Sequence, residues 1–310
     1  MLTCFSTPKA FRGHTGIIQR NAIRSWTLMR PPPEIILFGD DEGTAEVAKS
    51  FGVCHVPQVV RNEYGTPLLN DLFEQAQSTA AYDVLCYVNA DVILMSDFFR
   101  AVDQVVRWKS LFLLVGQRWD IDLKESLDFP VGWESDLRAR LGGQGVLHPS
   151  TGMDYFVFPR GMWGAIPPFA IGRTAWDNWL VYRARARRVP VVDATDALTV
   201  VHQAHDYSHV PAKAGDILEG PEAKRNLNLA GGWKHIFTLD DATHMLGMGG
   251  PRLAISLKHL QRRLITVPTL YAVSDVSTIL AKTIIPGFRR VWSSSRKSGS
   301  AEEAGFDTKG

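Results

Sequence analysis

The chain has 310 residues, enough for one large α/β domain or two small ones, and 45% of them are hydrophobic, as is typical of a folded protein. A formal net charge of +2 argues against a nucleic-acid binder, which would carry a strongly basic surface. No segment reaches about 18 uninterrupted apolar residues, so no membrane span is predicted. The three cysteines are isolated in apolar runs and are expected to be small buried side chains. With no signal-peptide pattern at the start, we expect a cytoplasmic protein.

Strand and helix patterns alternate through the first 95 residues, as they do in repeated βαβ units. The predicted strands are 2–5, 34–38, 54–60 and 83–88, and the predicted helices are 15–26, 44–51 and 66–77. Such an alternation calls for a mostly parallel sheet with helices on its faces.

The pattern is less regular after residue 95. It predicts helices at 96–108 and 176–187 and strands at 111–116, 154–159, 189–193 and 198–202. The polar segment 126–145 contains several glycines and is predicted as a long loop of the kind that forms lids or binding sites. Ser, Lys, Gly and Glu dominate from residue 293 onward, so 293–310 is expected to be a disordered tail.

The segment around Asp91 carries the sharpest chemical signal. The apolar strand 83–88 runs into the polar turn Asn89-Ala90-Asp91, and apolar residues then resume. One carboxylate is therefore presented at the carboxyl end of a strand, where ligands bind in open α/β sheets. An Asp at this position can also be an ordinary turn residue.

This segment resembles the Asp-x-Asp region of glycosyltransferases with the GT-A fold, similar to family 2, and the order and spacing of elements agree over roughly the first two hundred residues. The resemblance implies a GT-A mostly parallel sheet flanked by helices over 1–250, with a nucleotide-binding half at 1–95 and an acceptor half at 96–250. A helical C-terminal extension would follow at 251–292. The implied activity is hexosyltransferase-type transfer from a nucleotide-diphosphate sugar, with a UDP-sugar favoured, to a hydroxyl acceptor such as a glycan or a lipid-linked group.

The resemblance also implies roles for residues at the donor side. Asp91 would hold Mn²⁺ or Mg²⁺ against the donor diphosphate, whose charge grows as it leaves. His202, which ends a late strand, would be a second metal ligand or contact the diphosphate. The positions implied to contact the nucleotide are Ser6, Thr7, Asp40, Asn62 and Asn89. Asn89 stands where many relatives carry a first Asp, so metal use is expected to be weaker or facultative.

At the acceptor side, Asp177 matches the acidic residue that serves as catalytic base in inverting members. An Asp in the first turn of a helix is also favoured by the helix dipole without any catalytic role. Asp154, Trp163 and Trp176 are the acceptor-site candidates, with a turn or core packing as the alternatives. His202, His205 and His209 have spacings reminiscent of zinc ligands, but no Cys or Glu pattern accompanies them.

Three other interpretations remain open. A sugar-phosphate nucleotidyltransferase would also use an Asp-bound metal, and Lys9 and Arg12 after the first strand are compatible with it, although its glycine-rich loop is missing. A dinucleotide oxidoreductase lacks its glycine fingerprint here. A non-catalytic carbohydrate-binding or scaffold protein on the same fold is favoured by Asn89 and disfavoured by the joint presence of Asp91, Asp177 and His202.

Basic residues flank an interrupted apolar stretch near the C-terminus. They are Lys258, Arg262, Arg263, Arg289 and Arg290. This arrangement is a hypothesis for peripheral attachment to an anionic membrane through residues 252–292. A helix that packs on the catalytic domain with solvated charges is the alternative.

Overall fold

Parallel strands with helices between them form the first part of the chain, as the alternation predicted. The strands are β1 (Thr3–Ser6), β2 (Glu34–Phe38), β3 (Cys54–Val56) and β4 (Val84–Val88), and the helices are α1 (Gly13–Leu28), α2 (Thr44–Phe51) and α3 (Leu69–Thr79). β1 pairs in parallel with both β2 and β4. β3 ends four residues earlier than predicted, because Pro57 has no amide hydrogen to continue the ladder.

The computed structural model describes residues 1–204 and 219–271. After β4 the described strands are β5 (Val92–Ile93), β6 (Leu113–Val115), β7 (Trp119–Ile121), β8 (Val146–Leu147), β9 (Tyr155–Pro159), β10 (Val191–Asp193), β11 (Val201–Gln203), β12 (His244–Gly247) and β13 (Gly250–Leu253). The described helices are α4 (Ser96–Trp108), α5 (Trp133–Gln144), α6 (Trp176–Ala186), α7 (Pro221–Leu229) and α8 (Leu257–Leu270).

Nine of the described strands form the main sheet, in the order β13-β12-β10-β6-β9-β4-β1-β2-β3. Most neighbours are parallel, whereas β9 is antiparallel to β4 and β6, and β13 is antiparallel to β12. The predicted α/β class with a mostly parallel sheet and flanking helices is confirmed. A smaller sheet, β5-β11-β7-β8, lies beyond the end of β4.

The core occupies both faces of the main sheet because side chains alternate along each strand. Cys4 and Cys86 point to one face, where they pack with Trp26 of α1. Phe5 and Tyr87 point to the other, where Phe5 contacts Phe73 of α3 edge to face with ring centroids 5.3 Å apart. Each fully buried aromatic side chain contributes about 1.5–3 kcal/mol of transfer free energy, so this layer stabilises the strands β1 and β4.

Two expectations from the sequence are wrong. Segment 126–145 is not one long loop, since α5 occupies Trp133–Gln144. Only Leu137 and Leu141 of this helix are buried, so the helical periodicity in the sequence is weak, and its glycines resemble loop residues. Cys54 is exposed rather than buried, while Cys4 and Cys86 are buried.

The chain divides into a first unit, residues 1–259, and a second unit that begins at Leu260. The first unit includes β13, so the main sheet continues past residue 250. The proposed boundaries at 250 and 292 stay predictions, and the tail 293–310 lies outside the described residues. Among the residues that the structure describes, no helix is long and apolar enough to cross a membrane.

Candidate functional site

Asp91 and His202 meet where β4 ends. Asp91 follows β4 in the turn to β5, and β5 pairs antiparallel with β11, which places His202 opposite Val92. The turn is held by Gln203, whose side-chain Nε2 donates to the Asp91 carbonyl at 3.0 Å. As a result Asp91 Oδ2 lies 3.7 Å from His202 Nε2, and both side chains are largely buried.

The opposite edge of the His202 ring contacts Asp120. β7 and β11 are parallel, and His202 is paired with Asp120 in their register. His202 Nδ1 lies 2.9 Å from Asp120 Oδ1. Burial alone would lower the pKa of His202, but the charge of Asp91 and the hydrogen bond to Asp120 outweigh it and raise the pKa.

Asp120 is surrounded by donors. Arg118 Nε lies 2.9 Å from its Oδ1, and His148 Nδ1 lies 2.7 Å from its Oδ2. Burial acts to raise the pKa of Asp120, yet the hydrogen bonds from His148 and His202 and the guanidinium of Arg118 hold it far below its usual range. Asp120 is therefore an anion over the whole physiological pH range. The same guanidinium of Arg118 also contacts Asp154, and these two carboxylates hold the pKa of Arg118 above its usual value despite burial.

Asn89 forms a hydrogen bond with the carboxylate of Asp154, which is distant in sequence. Its Nδ2 donates to Asp154 Oδ1 at 2.6 Å, and its Oδ1 accepts from the Tyr87 hydroxyl at 3.0 Å. Asp154 directly precedes β9, which is antiparallel to β4. The pairing of these two strands therefore brings Asn89 and Asp154 together. An Asp at position 89 would place two carboxylates in contact, which explains why an amide occupies this position.

We expect Asn89→Asp to lower stability by about 1–3 kcal/mol at neutral pH, because a charged hydrogen bond is replaced by repulsion. The pair would share one proton, so one pKa is raised and stability falls as pH rises above about 4 and recovers on acidification. Urea unfolding at pH 4, where the loss should be small, and at pH 8, where it should be complete, measures this. Asn228→Asp, at an exposed position of α7, is the control. A loss for Asn89→Asp that is the same at both pH values would contradict the explanation.

Asp177 lies in the first turn of α6 and retains partial exposure. Desolvation by the surrounding protein is the main cause that raises its pKa to about 7, and the charge of Asp154 adds to it, while backbone amides act in the opposite direction. The residue before this turn, Ala175, has φ +90°, a conformation that L residues rarely adopt. A carboxylate with a pKa near 7, close enough to Asp154 for the two charges to interact, has the properties of a general base.

The two tryptophan candidates are buried. Trp176 is 4% exposed and contacts Tyr87 and Phe156, with ring centroids 5.4 and 5.5 Å away. Trp163 is fully buried between Phe73 and Phe158. In this arrangement neither indole presents a face to solvent, so their contact with an acceptor stays a prediction that would require the site to open.

The predicted nucleotide-side residues lie at the ends of β1 and β2. Ser6 Oγ and Thr7 Oγ1 are buried and have no hydrogen-bond partner within the described part of the chain. A side chain at Gly39 would come within 3.5 Å of Thr7 Oγ1, so β1 and β2 end side by side. Asp40 is mostly exposed and forms an ion pair with Arg61 at 3.0 Å. These hydroxyls and this carboxylate are the kinds of group that bind a ribose or a base.

Asn62 has a different environment from that of Ser6, Thr7 and Asp40. Its Oδ1 accepts from the backbone amides of Tyr64 and Thr66, both at 3.0 Å, and its Nδ2 donates to Glu222 at 2.7 Å. Glu222 in turn forms an ion pair with Arg173 at 2.8 Å. Asn62 thus organises its own loop, and its contact with a donor stays a prediction.

Asp91 and His202 fit a weakly held divalent cation. The 3.7 Å between their atoms suits a shared cation with ligand bonds of about 2.1 Å. The described residues contain no group of three or more His, Cys, Asp or Glu with metal-binding geometry. The two ligands that the described residues offer would leave the rest of the shell to other groups, such as oxygens of a bound ligand. His205 and His209, which entered the zinc hypothesis, lie outside the described residues.

Arg118, Asp120 and His148 were not predicted from the sequence. The signal that was available is the alternation of apolar Trp119 and Ile121 around Asp120, which is typical of a short strand. Three residues are too few to distinguish that strand from a loop, and nothing local indicates that β7 pairs with β11.

The chain is similar in structure to glucosyl-3-phosphoglycerate synthase from Mycobacterium tuberculosis. One solved structure shares 14% identity, with a TM-score of 0.44, over 75% of this chain and 81% of that chain. Its complex with Mn²⁺, UDP-glucose and glycerol 3-phosphate shares 14% identity, with a TM-score of 0.44, over 75% of this chain and 80% of that chain. Its complex with Mn²⁺, UDP and phosphoglyceric acid shares 14% identity, with a TM-score of 0.44, over 75% of this chain and 79% of that chain. No protein-family profile and no curated protein sequence matches the chain.

Proposed function

We propose that this protein is a glycosyltransferase that moves a sugar from a nucleotide-diphosphate sugar to a hydroxyl acceptor. The observation that carries the proposal is the convergence of Asp91, His202 and Asp177 around the buried Asp154 at the carboxyl end of β4. One carboxylate and one imidazole lie within reach of a shared cation. A second carboxylate, with its pKa near 7, is a candidate base beside them.

In this proposal Asp91 Oδ2 and His202 Nε2 hold Mn²⁺ or Mg²⁺. When bound, the cation neutralises charge on the departing diphosphate. Manganese is favoured over magnesium because imidazole is one of the two ligands and magnesium prefers an all-oxygen shell. Two ligands from the described residues are compatible with the weaker or facultative metal use expected from Asn89.

The donor nucleotide would bind at the ends of β1 and β2. Ser6 and Thr7 would offer their buried hydroxyls to the base or ribose, and Asp40 would accept from a base or a ribose hydroxyl. Asn89 would lie on the ribose side. Lys9 is near enough to Asp91 and to Arg173 for their charges to interact, so Lys9 would be placed to attract a diphosphate. Arg173 forms an ion pair with Glu222 at 2.8 Å. A UDP-sugar is the favoured donor.

Asp177 would act as the base of an inverting reaction. A hydroxyl becomes a strong enough nucleophile when a carboxylate takes its proton during the attack on the anomeric carbon. Asp154, Trp163 and Trp176 are the other acceptor-side candidates, of which Asp154 contacts Arg118 and Asn89 directly. The acceptor would carry a free hydroxyl, as in a glycan or a lipid-linked group.

Hydrolysis of a panel of nucleotide sugars tests the proposal, because transferases of this kind slowly transfer sugar to water. We expect Mn²⁺-dependent release of a nucleoside diphosphate from at least one donor, with a UDP-sugar the first choice. Equal rates of nucleoside diphosphate release with and without EDTA would contradict the proposal. Formation of a nucleoside triphosphate and a sugar 1-phosphate when pyrophosphate is added to the nucleotide sugar would favour the nucleotidyltransferase interpretation.

Helix α8 supports peripheral membrane attachment as a further proposal on localisation. Its exposed apolar residues Leu257, Leu260 and Leu264 recur at helical spacing and share one face, with exposures of 73%, 45% and 60%. Lys258, Arg262 and Arg263 are the Lys and Arg residues of this helix, and Lys258 forms an ion pair with Asp240 at 2.7 Å. Arg289 and Arg290, which entered the same hypothesis, lie outside the described residues. An apolar face with flanking cations is typical of helices that lie on anionic lipid.

We expect the protein to co-sediment with anionic liposomes at low salt, and Leu264→Glu to reduce the bound fraction several-fold. Neutral liposomes and 0.5 M salt are the controls, since screening weakens attraction to the surface. Recovery of all the protein in the supernatant with anionic lipid would rule out attachment.

A further inference from the structure

The register of the small sheet fixes the neighbour of His202. β11 and β7 are parallel, and the ladder pairs His202 with Asp120 directly. The Asp120 carboxylate therefore faces the Nδ1 edge of the imidazole, at 2.9 Å. Backbone pairing, rather than a flexible loop, sets this contact.

The charge of Asp120 determines which nitrogen of His202 carries a hydrogen. An ionised carboxylate can only accept hydrogen bonds, so His202 Nδ1 must be the donor. In the neutral ring this leaves the lone pair on Nε2, which is the nitrogen 3.7 Å from Asp91 Oδ2. The opposite tautomer would turn an N–H toward the Asp91 carboxylate and offer no lone pair to a metal.

Asp120 is itself held in place from two other sides. His148 Nδ1 contacts Oδ2 at 2.7 Å, and Arg118 Nε contacts Oδ1 at 2.9 Å. His148 follows β8, which pairs with β7, and its backbone amide donates to the Arg118 carbonyl at 2.9 Å. Because three donors share the two carboxylate oxygens, rotation of Asp120 would break several charged hydrogen bonds at once.

We propose that Asp120 is a positioning residue that presents the Nε2 lone pair of His202 to a divalent cation shared with Asp91. The proposal rests on the proposed function for the identity of the ligand, a cation with a nucleoside diphosphate. Partners of metal-bound histidines typically change metal affinity by about 10- to 100-fold, which sets the expected effect.

The test is a double-mutant cycle on Mn²⁺-dependent binding of UDP, measured by calorimetry with and without EDTA. Asp120→Asn should weaken the Mn²⁺-dependent affinity by about 10- to 100-fold. The matched control, Asp122→Asn, removes an exposed carboxylate two residues away that pairs with Lys124, and should leave the affinity unchanged. In a His202→Ala background, Asp120→Asn should cause no further loss, because its effect acts through the imidazole.

A second readout does not depend on nucleotide binding or on a stable variant. In protein labelled with ¹⁵N-histidine, long-range ¹H–¹⁵N correlation at a pH where His202 is neutral should show the Nδ1–H tautomer. The Nε2–H tautomer in the wild-type protein would overturn the proposal. Unchanged Mn²⁺-dependent UDP affinity in Asp120→Asn would also overturn the proposal. An equal loss of this affinity on Asp120→Asn in the wild-type and His202→Ala backgrounds would overturn it as well. Failure of the proposed function would look different, with no cation-dependent UDP binding in the wild type and the tautomer still Nδ1–H.

Discussion

Replacing Asp177 with Asn is expected to lower kcat by at least about 100-fold while donor and metal binding persist. Asn keeps the size of the residue and much of its hydrogen bonding but cannot take a proton, and a positioned base contributes about 10²- to 10⁴-fold. Because the pKa of Asp177 is raised to about 7, kcat/KM of the wild type should rise with pH up to about 7 and level off above it.

Asp71→Asn is the control for this prediction, since Asp71 also lies in the first turn of a helix, α3. Its effect on turnover should stay within a few-fold. If Asp177→Asn turns over within a few-fold of the wild type and changes only stability, Asp177 is a helix-start residue and the inverting assignment is wrong.

The same substitution should increase stability at neutral and alkaline pH. The folded state holds the Asp177 proton up to about pH 7, whereas an unfolded Asp releases it near pH 4, so ionisation opposes folding as pH rises through this window. The full penalty corresponds to at most about 4 kcal/mol above pH 7 and vanishes below pH 4. Urea unfolding of the wild type and Asp177→Asn at pH 4 and pH 8 separates this effect from catalysis.

Asp91→Asn is expected to reduce Mn²⁺-dependent UDP affinity by at least about 100-fold in a protein that remains folded. Removing an outer partner of a metal ligand costs about 10- to 100-fold, so loss of a ligand itself should cost no less. Calorimetry with UDP and Mn²⁺ measures it.

The control is Asp83→Asn, which removes an exposed carboxylate at the opposite end of β4, where Asp83 pairs with Arg160. It should bind UDP as the wild type does. Equal affinity in Asp91→Asn and Asp83→Asn would contradict the metal role of Asp91.

The sequence was sufficient to predict the α/β class and the turn that presents Asp91. Alternation of buried strands with amphipathic helices is a local signal, and β1, β2 and β4 follow it closely. The start of α6, and with it Asp177, was also evident from the sequence because the helix begins where an apolar periodic segment begins.

The arrangement around His202 could not be predicted in the same way. Asp120 and His202 are 82 positions apart, and their contact depends on the pairing of two three-residue strands. Similarly, the sequence alone did not explain why position 89 is Asn rather than Asp. The reason is the hydrogen bond to Asp154, which lies 65 positions away. Tryptophans near strand and helix ends look the same whether they stack on a sugar or fill a core, and Trp163 and Trp176 are buried.

These contacts also bear on the non-catalytic interpretation, which rested on Asn89 in place of an acid. In the Asn89–Asp154 pair the carboxylate of Asp154 lies next to position 89, and it comes from the segment that precedes β9 rather than from the turn after β4. The amide is therefore compatible with an active site and no longer favours a silent protein.

The most direct test of the central claim is the position of Mn²⁺ in crystals grown with Mn²⁺ and UDP. An anomalous difference map should show one strong peak between Asp91 Oδ2 and His202 Nε2, within about 2.3 Å of both, with diphosphate oxygens on its open side. A peak at another group of side chains, or UDP bound at the ends of β1 and β2 with no cation beside Asp91, would contradict the account.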